Sequence, residues 1–518
     1  MTAPLRAATP AGPPPRGPRG PGERKGAGAG GVPRAPGPAL DTRCKEENHV
    51  EAHRSNTSQC TRSNVGNPGE ISVNDDFRRL ADRLAAEIAD GTLRPGERLP
   101  PQRRFARREG IAPSTASRVY AELIRRGLAV GEVGRGTFVR ATAPAPEPAL
   151  AEPGGARVDL ELNFPVLPGQ AQTLAAGLQR LLRADVLDAA LRPAAVAGEA
   201  GLRAAAAGLL ARGGWSPEPG RLLFAAGGRQ AIAAALAALV PAGERLGVER
   251  FTYPVIKGIA ARLGITPVPL AVDEEGLVPE AVAGALPLRA VYCQPALHNP
   301  LGTTMPPGRR AELAEALRRH GLYAVEDAIY GFLRPDLPPL AALAPERTVL
   351  VDSLSKRVAP GLTLGFVLAP DEPRRSAIAA ALRTGGWAAA RFALRAAGEW
   401  LGDGTAAALG EAKRADAAER QRIRAERLAG FRIRADPAAY HCWWELPAPW
   451  RADTFVAAAA RHGIALTPAA AFAVGPAHAP AAVRLALGSP PKDTLARALD
   501  TLAGLAHGTP EDSGGPVE

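Results

Sequence analysis

Between residues 158 and 370 the chain alternates short β-rich runs with helical stretches rich in Ala and Leu. The runs are Leu222-Leu223-Phe224, Ala290-Val291-Tyr292-Cys293, Tyr323-Ala324-Val325, Val349-Leu350-Val351 and Gly365-Phe366-Val367-Leu368. Parallel strands need crossovers of about a dozen residues, which helices supply, so this order predicts an α/β domain with a largely parallel sheet. Residues 371–505 read as helices followed by a smaller α+β unit ending in Ala482-Val483-Arg484-Leu485-Ala486-Leu487. No internal repeat is visible. At 518 residues and 46% hydrophobic content, the chain can hold two or more domains, each with its own core.

The N-terminal part is organised differently. Residues 1–70 are dominated by Pro, Gly, Ala, Arg and Ser, with no aromatic residue before Phe77, so burial could not offset the entropy of ordering them. A disordered tail is expected there, and a short one over 506–518. Cys44, His49, His53 and Cys60 are four potential metal ligands, but their spacing is not that of a common zinc finger, and no metal is expected. From Asp75 the period turns helical: Phe77, Leu80, Leu84 and Ile88 recur at three and four and stop at Gly91. A second helix follows Leu99-Pro100-Pro101 and breaks at Gly110, and a third runs from Pro113 to Gly127. Leu128-Ala129-Val130, a turn at Gly134-Arg135-Gly136, and Thr137-Phe138-Val139 then read as a two-stranded wing. Residues 71–140 thus predict a winged helix-turn-helix. Residues 141–157 alternate Ala and Pro, a semi-rigid linker reaching roughly 50 Å in polyproline II at about 3.1 Å per residue.

Charge separates the same regions. Of the net +11, residues 71–140 hold +5 and residues 1–70 hold +4, which points to a polyanionic partner for the N-terminal quarter. Four scattered cysteines cannot form a disulfide framework. No stretch of 18 apolar residues occurs, and Met1–Gly20 has no apolar signal core, so a cytoplasmic location is expected.

Within the winged-helix segment, Gly91, Leu93, Pro95, Gly96, Arg98, Leu99 and Pro100 fit the pattern G-x-L-x-P-G-x-R-L-P. Gly134, Gly136, Thr137, Phe138 and Val139 fit G-x-G-T-F-V. In this the run from Leu80 to Val139 resembles the GntR family of winged-helix repressors. The resemblance implies double-stranded DNA as partner, with the helix from Ser114 in the major groove and the wing and Arg103 on phosphates. Many members carry Ser-Arg at the positions of Ala112 and Pro113, and Arg at that of Ser117. Base contact here would fall to Ser114, Thr115, Ser117 and Arg118, beside Arg135, Gly136 and Thr137 of the wing.

Further along, Ala226-Gly227-Gly228 follows a strand and opens a helix, so that bare backbone amides could hold a phosphate. His298-Asn299-Pro300-Leu301-Gly302, Val325-Glu326-Asp327-Ala328-Ile329-Tyr330 and Ser353-Leu354-Ser355-Lys356 each follow a strand-like run, with Asn299, Asp327 and Lys356 spaced 28 and 29 residues apart. From about Ala225 to Arg484 the chain resembles the fold type I aminotransferases, and with the GntR head it resembles the MocR subfamily of regulators. The resemblance implies pyridoxal 5'-phosphate as cofactor. Lys356 would be the amine that links it, Asp327 the carboxylate at its ring nitrogen, and Asn299 and Tyr330 the donors to its phenolate oxygen. Tyr253 would lie against the ring; Ala226, Gly227, Gly228, Ser353 and Ser355 would cradle the phosphate, and Arg484 would grip an amino-acid carboxylate. The family usually has an arginine seven residues beyond the lysine; here that position is Thr363, and Arg357 is the expected substitute.

The predicted architecture is therefore a disordered tail over 1–70, a winged-helix domain over 71–140, a linker over 141–157, a cofactor-binding large domain over 158–370 and a small C-terminal subdomain over 371–505. The predicted function is a cofactor-dependent transcriptional regulator that senses an amino acid, an amino-acid-like effector or the cofactor itself, acting as a homodimer. The alternative is an active aminotransferase with a fused regulatory head, since the same groups run transamination.

Overall fold

The computed structural model of the chain describes residues 73–510, except 90, 91, 95, 126–127, 133–134, 140–155 and 476–478. The expectations for the tail over 1–70, the four potential metal ligands at 44–60, most of the linker and residues 511–518 lie outside the described residues, whereas residues 506 and 507, expected in the C-terminal tail, close the helix Lys492–His507 because Ala506 packs into its core.

The head begins with helix α1 (Val73–Ala89), then α2 (Gln102–Glu109) and α3 (Pro113–Arg125). Strands β1 (Ala129–Glu132) and β2 (Gly136–Val139) pair antiparallel as the wing. The apolar positions at three- and four-residue spacing meet in one core, where Leu84, Leu99, Phe105, Val119, Tyr120 and Leu123 are buried together. Gly110 adopts a left-handed backbone (φ 66°) and closes α2, its N–H donating to the Ala106 carbonyl.

The body is a seven-stranded sheet. Its strands are β3 (Leu222–Ala225), β4 (Arg245–Glu249), β5 (Thr266–Leu270), β6 (Ala290–Cys293), β7 (Tyr323–Asp327), β8 (Thr348–Ser353) and β9 (Gly365–Leu368), in spatial order β3-β9-β8-β7-β6-β4-β5. The run from β8 to β5 is parallel, and β9 lies antiparallel to both its neighbours. Strands β3, β6, β8 and β9 are buried along their whole length, as a sheet covered on both faces requires. Helix α4 (Gly228–Leu239) covers one face through Ala231, Ile232, Ala234, Ala235 and Leu236, the alanines letting it approach closely. A short helical turn, α5 (Leu354–Arg357), follows β8 directly.

Helix α6 (Thr405–Arg427) leads into a smaller antiparallel sheet of β10 (Arg432–Arg434), β11 (His441–Glu445), β12 (Thr467–Pro468) and β13 (Ala482–Ala486), ordered β10-β11-β13-β12. Helices α7 (Ala452–Arg461) and α8 (Lys492–His507) pack on it around Trp444, Phe455, Leu485 and Leu499. The wing touches this subdomain: the Arg451 guanidinium sits 4.1 Å from the Phe138 ring centre, and Gly96 backs onto Thr454.

Register sets the site. Asp327 lies beside Val351, Ser353 beside Gly365, and Gly365 beside Ala225, so the ends of β7, β8 and β3 converge on one edge. Gly365 allows this convergence, because a Cβ there would lie 2.4 Å from the Gly227 carbonyl oxygen. That neighbour is backbone and cannot swing aside. Gly365→Ala is expected to cost about 1–3 kcal/mol in chemical denaturation. Gly361→Ala, where nothing lies within 4 Å of the added methyl, should stay within about 0.5 kcal/mol of the parent. Equal stability of both variants would contradict this packing account.

Candidate functional site

A cavity of about 350 Å³ opens at the carboxyl ends of these strands, the usual place for a ligand in an open α/β sheet. Lys356 projects into it from α5. Its ammonium donates to the Asn163 carbonyl and stands 4.1 Å from the Phe164 ring centre. Burial, with Arg484, Arg229 and Lys413 nearby, brings its pKa down to about 7. A large share of this amine is therefore uncharged at neutral pH, the form a nucleophile needs.

Asp327 ends β7 at the floor of the cavity. Its Oδ2 accepts from Tyr292 Oη at 2.7 Å and from Gln294 Nε2 at 2.8 Å, and its Oδ1 from the Ile329 N–H at 3.1 Å. Burial raises its pKa and these three donors oppose the rise. Gln294 also accepts from the Asn299 N–H at 3.1 Å, tying the β6 loop to the β7 carboxylate. Tyr330 Oη accepts from Asn163 Nδ2 at 3.1 Å, and burial pushes its phenol up to about 12. Tyr253 faces the same space, its Oη accepting from Arg229 Nε at 3.3 Å.

At one end of the cavity lies Arg484, on β13. Its guanidinium donates to Asn299 Oδ1 at 3.3 Å, to Thr467 Oγ1 at 3.0 Å and to the Glu161 carbonyl, while its Nε is buried without a partner. At another end the backbone of Ala226, Gly227 and Gly228 opens α4. A Cβ on Gly228 would come within 3.2 Å of Ser353 Oγ, and one on Gly227 within 3.0 Å of Gln230 Oε1. Ser353 Oγ and Ser355 Oγ are 2.7 Å apart; Ser355 lines the cavity, whereas Ser353 caps α5 by accepting from the Ser355 N–H.

Arg357, expected near a phosphate, does not line this cavity. It is buried on the far side of α5, 3.7 Å from Asp352, 4.9 Å from the Phe332 ring centre and donating to the Leu209 carbonyl. Successive helical residues point about 100° apart, so a neighbour of Lys356 in sequence need not share its direction. Residues passed over in the sequence reading also line the cavity, among them Asn163, Arg229, Gln294, Thr467 and Phe472. A polar residue just past a strand end was the available signal for Gln294. Nothing local marks Asn163 or Thr467, which arrive by long-range packing.

In the head, Arg103, Ser114 and Arg135 are exposed, and Thr115, Gly136 and Thr137 are half-buried. Ser117 is exposed but donates to Gln102 Oε1 at 2.7 Å, and the Arg118 guanidinium is stacked 4.1 Å from the Phe77 ring centre, toward α1.

A family model described as aminotransferase class I and II matches residues 162–502, and one for bacterial regulatory proteins of the gntR family matches residues 77–139. The chain belongs to the aminotransferase class I and II family. Its gntR-type head makes it MocR-like in arrangement. It is 29% identical over 420 residues to the uncharacterized HTH-type transcriptional regulator YdeF of Bacillus subtilis, covering 80% of this chain and 90% of that one. It is 30% identical over 333 residues to the HTH-type transcriptional regulator TauR of Rhodobacter capsulatus, covering 56% and 67%. It is also 28% identical over 307 residues to the HTH-type pyridoxine biosynthesis transcriptional regulator PdxR of Corynebacterium glutamicum, covering 57% and 66%. Among solved structures, α-aminoadipate aminotransferase LysN of Thermus thermophilus, complexed with N-(5'-phosphopyridoxyl)-L-leucine, shares the fold at TM-score 0.61 and 22% identity, over 68% of this chain and 92% of that one.

This MocR-like chain is a transcriptional regulator with a gntR-type DNA-binding head and an aminotransferase-like body. Pyridoxal phosphate is the cofactor of that body, and the residues present fit it. They offer an amine that loses its proton readily, a buried carboxylate, a glycine cradle that side chains would fill, and an arginine Nε without a partner. No helix among the described residues is long and apolar enough to cross a membrane.

The depressed Lys356 pKa has a measurable consequence in the cofactor-free protein. Unfolded, the amine titrates near 10.4; folded, near 7. Between these values the unfolded chain binds the extra proton, so this group makes the unfolding free energy rise with pH, by at most about 1.4 kcal/mol per unit. Urea denaturation at pH 7, 8 and 9 should show a steeper rise for the parent than for Lys356→Met. Parallel slopes would place the amine in water rather than in a buried site.

Proposed function

We propose that this chain regulates transcription by coupling occupancy of the body cavity to the affinity of the winged-helix head for duplex DNA. The effector is an amino acid, a close analogue or the cofactor itself. The observation that carries this reading is the coexistence, in one chain, of a DNA-binding head with a cavity holding Lys356, Asp327 and Arg484.

When bound, pyridoxal phosphate supplies an aldehyde that condenses with amines and a ring that accepts electron density. Lys356 presents the uncharged amine. Asp327, fixed by Tyr292 and Gln294, would hold a proton on the ring nitrogen, and Asn299 and Tyr330 would serve the phenolate oxygen with Tyr253 against the ring. Gly227, Gly228 and Ser355 would hold the phosphate through N–H and O–H donors at the start of α4 and α5. Arg484, already aimed by Thr467 and Asn299, takes the carboxylate of the incoming amino acid with its guanidinium. Because Arg484 belongs to the small sheet and Lys356 to the helical turn that follows β8 of the large one, a ligand touching both favours the closed arrangement of the two. The wing contact through Arg451 and Phe138 gives that closure a route to the head besides the linker.

The head reaches DNA with the exposed Ser114 and Arg103 and with the wing, and a two-fold dimer of the body would present two heads to two half-sites. Phosphate contacts make such binding fall steeply with salt.

Two outcomes are expected. Lys356→Ala should abolish the visible absorbance of the purified protein, and a borohydride-reducible adduct surviving in that variant would assign the link to another lysine. Arg484→Ala should keep cofactor and basal DNA binding but lose the change in DNA affinity produced by amino-acid ligands, a coupling of about 1–3 kcal/mol. The measurement is fluorescence anisotropy on the chain's own upstream DNA at fixed salt, with and without an amino-acid mixture. A full response in Arg484→Ala would remove the carboxylate role.

A further inference from the structure

The phosphate end of the cavity has an unusual charge distribution. Thr363, which lines it, is neutral, and its Oγ1 is buried without a hydrogen-bond partner. Arg357 lies outside the cavity beside the buried carboxylate of Asp352. Lys413 is also outside, its ammonium spent on the Lys356 and Val358 carbonyls. Arg484 is anchored on the small sheet by Thr467, Asn299 and the Glu161 carbonyl. Backbone amides and hydroxyls alone would then face a group carrying nearly two negative charges.

One cation remains. Arg229 follows Gly228 in the first turn of α4 and lines the cavity with Gly227, Gly228, Gln230, Ser355 and Thr363. Its Nε donates to Tyr253 Oη at 3.3 Å, which holds the guanidinium over the cavity mouth. Among the described residues no carboxylate lies within ion-pair distance of it, and its side chain is exposed, so its charge is neither neutralised nor strongly desolvated before a ligand arrives. The sense of its field is visible at Lys356, where it is among the neighbours that lower the affinity of the amine for a proton.

We infer that Arg229 is the cofactor-phosphate clamp of this chain, supplying from the start of α4 the cation that Thr363 does not. A guanidinium offers paired donors matched to phosphate oxygens, and at a helix N-terminus it adds a full charge to the backbone amides and the positive end of the helix dipole. The clamp thus comes from the same helical turn as the glycine cradle, and Tyr253 sets its direction.

The inference rests on the cofactor reading above, and the experiment separates the two. Full-length apo-protein is titrated with pyridoxal 5'-phosphate and, separately, with pyridoxal, which has the aldehyde and ring but no phosphate, following visible absorbance. Arg229→Ala should raise the Kd for pyridoxal phosphate by about 10- to 100-fold, the range expected for losing one charged hydrogen-bonding partner, and weaken pyridoxal far less, only through the change at the Lys356 amine. Arg229→Lys, which keeps the charge, should recover part of the loss. Equal weakening of both ligands in Arg229→Ala would assign the residue to ring positioning through Tyr253 and overturn the clamp. An unchanged Kd for pyridoxal phosphate would overturn it as well, with the cofactor reading intact. A parent protein that binds neither compound would overturn both.

Discussion

Parallel register along β7 and β8, and the antiparallel insertion of β9 between β8 and β3, govern nearly everything else in the body. Strand ends far apart in the chain, Ala225 and Ser353, are brought to one edge because β3 and β8 share β9 as a neighbour. Burial on both faces fixes that register, since sliding a strand would move its fully apolar run against the polar strand-end groups. The residues beyond each run, Ala226, Asp327 and Ser355 among them, therefore meet without local sequence contact. Polar residues collect at this edge because the strands end there and their backbone amides are available to a ligand.

Electrostatically the site separates charge by depth. Asp327 sits at the floor, supported by Tyr292 and Gln294 from the neighbouring strand β6 and the loop after it. The cations Lys356, Arg229 and Arg484 surround the space above. Burial, with the repulsion of these neighbours added to it, lowers the affinity of the lysine amine for its proton, so the property that makes Lys356 reactive is distributed over three elements. Removing any of these cations should be felt at the lysine as well as at its own contacts.

Much of the architecture was legible in sequence. The apolar runs marked β3, β6, β7, β8 and β9 to within about two residues, and the helix periodicity and glycine stops marked the head. Strands β4 and β5 were not named. Arg245–Glu249 begins and ends in charge, and Thr266–Leu270 contains Pro267 and Pro269, which a central strand would exclude. The structure puts β5 at the edge of the sheet, where missing N–H donors cost little. In the site, residues in strand-end motifs could be read off directly, whereas direction could not: Arg357 was chosen by adjacency to Lys356, and it lies on another face of its helix. Gln294, Asn163 and Thr467 acquire meaning only through partners more than thirty residues away or on another sheet.

Gly365, pressed against the Gly227 carbonyl, has a consequence for how such a chain can diverge. A charge acts over several ångströms and can be delivered by any stem long enough to reach, so a lineage can lose a cation from one strand connection and regain it from a helix. Excluded volume acts at a single place. No distant substitution makes room for a methyl group between two backbones that already touch, and the glycine pair should outlast the charged residues around it as the family drifts.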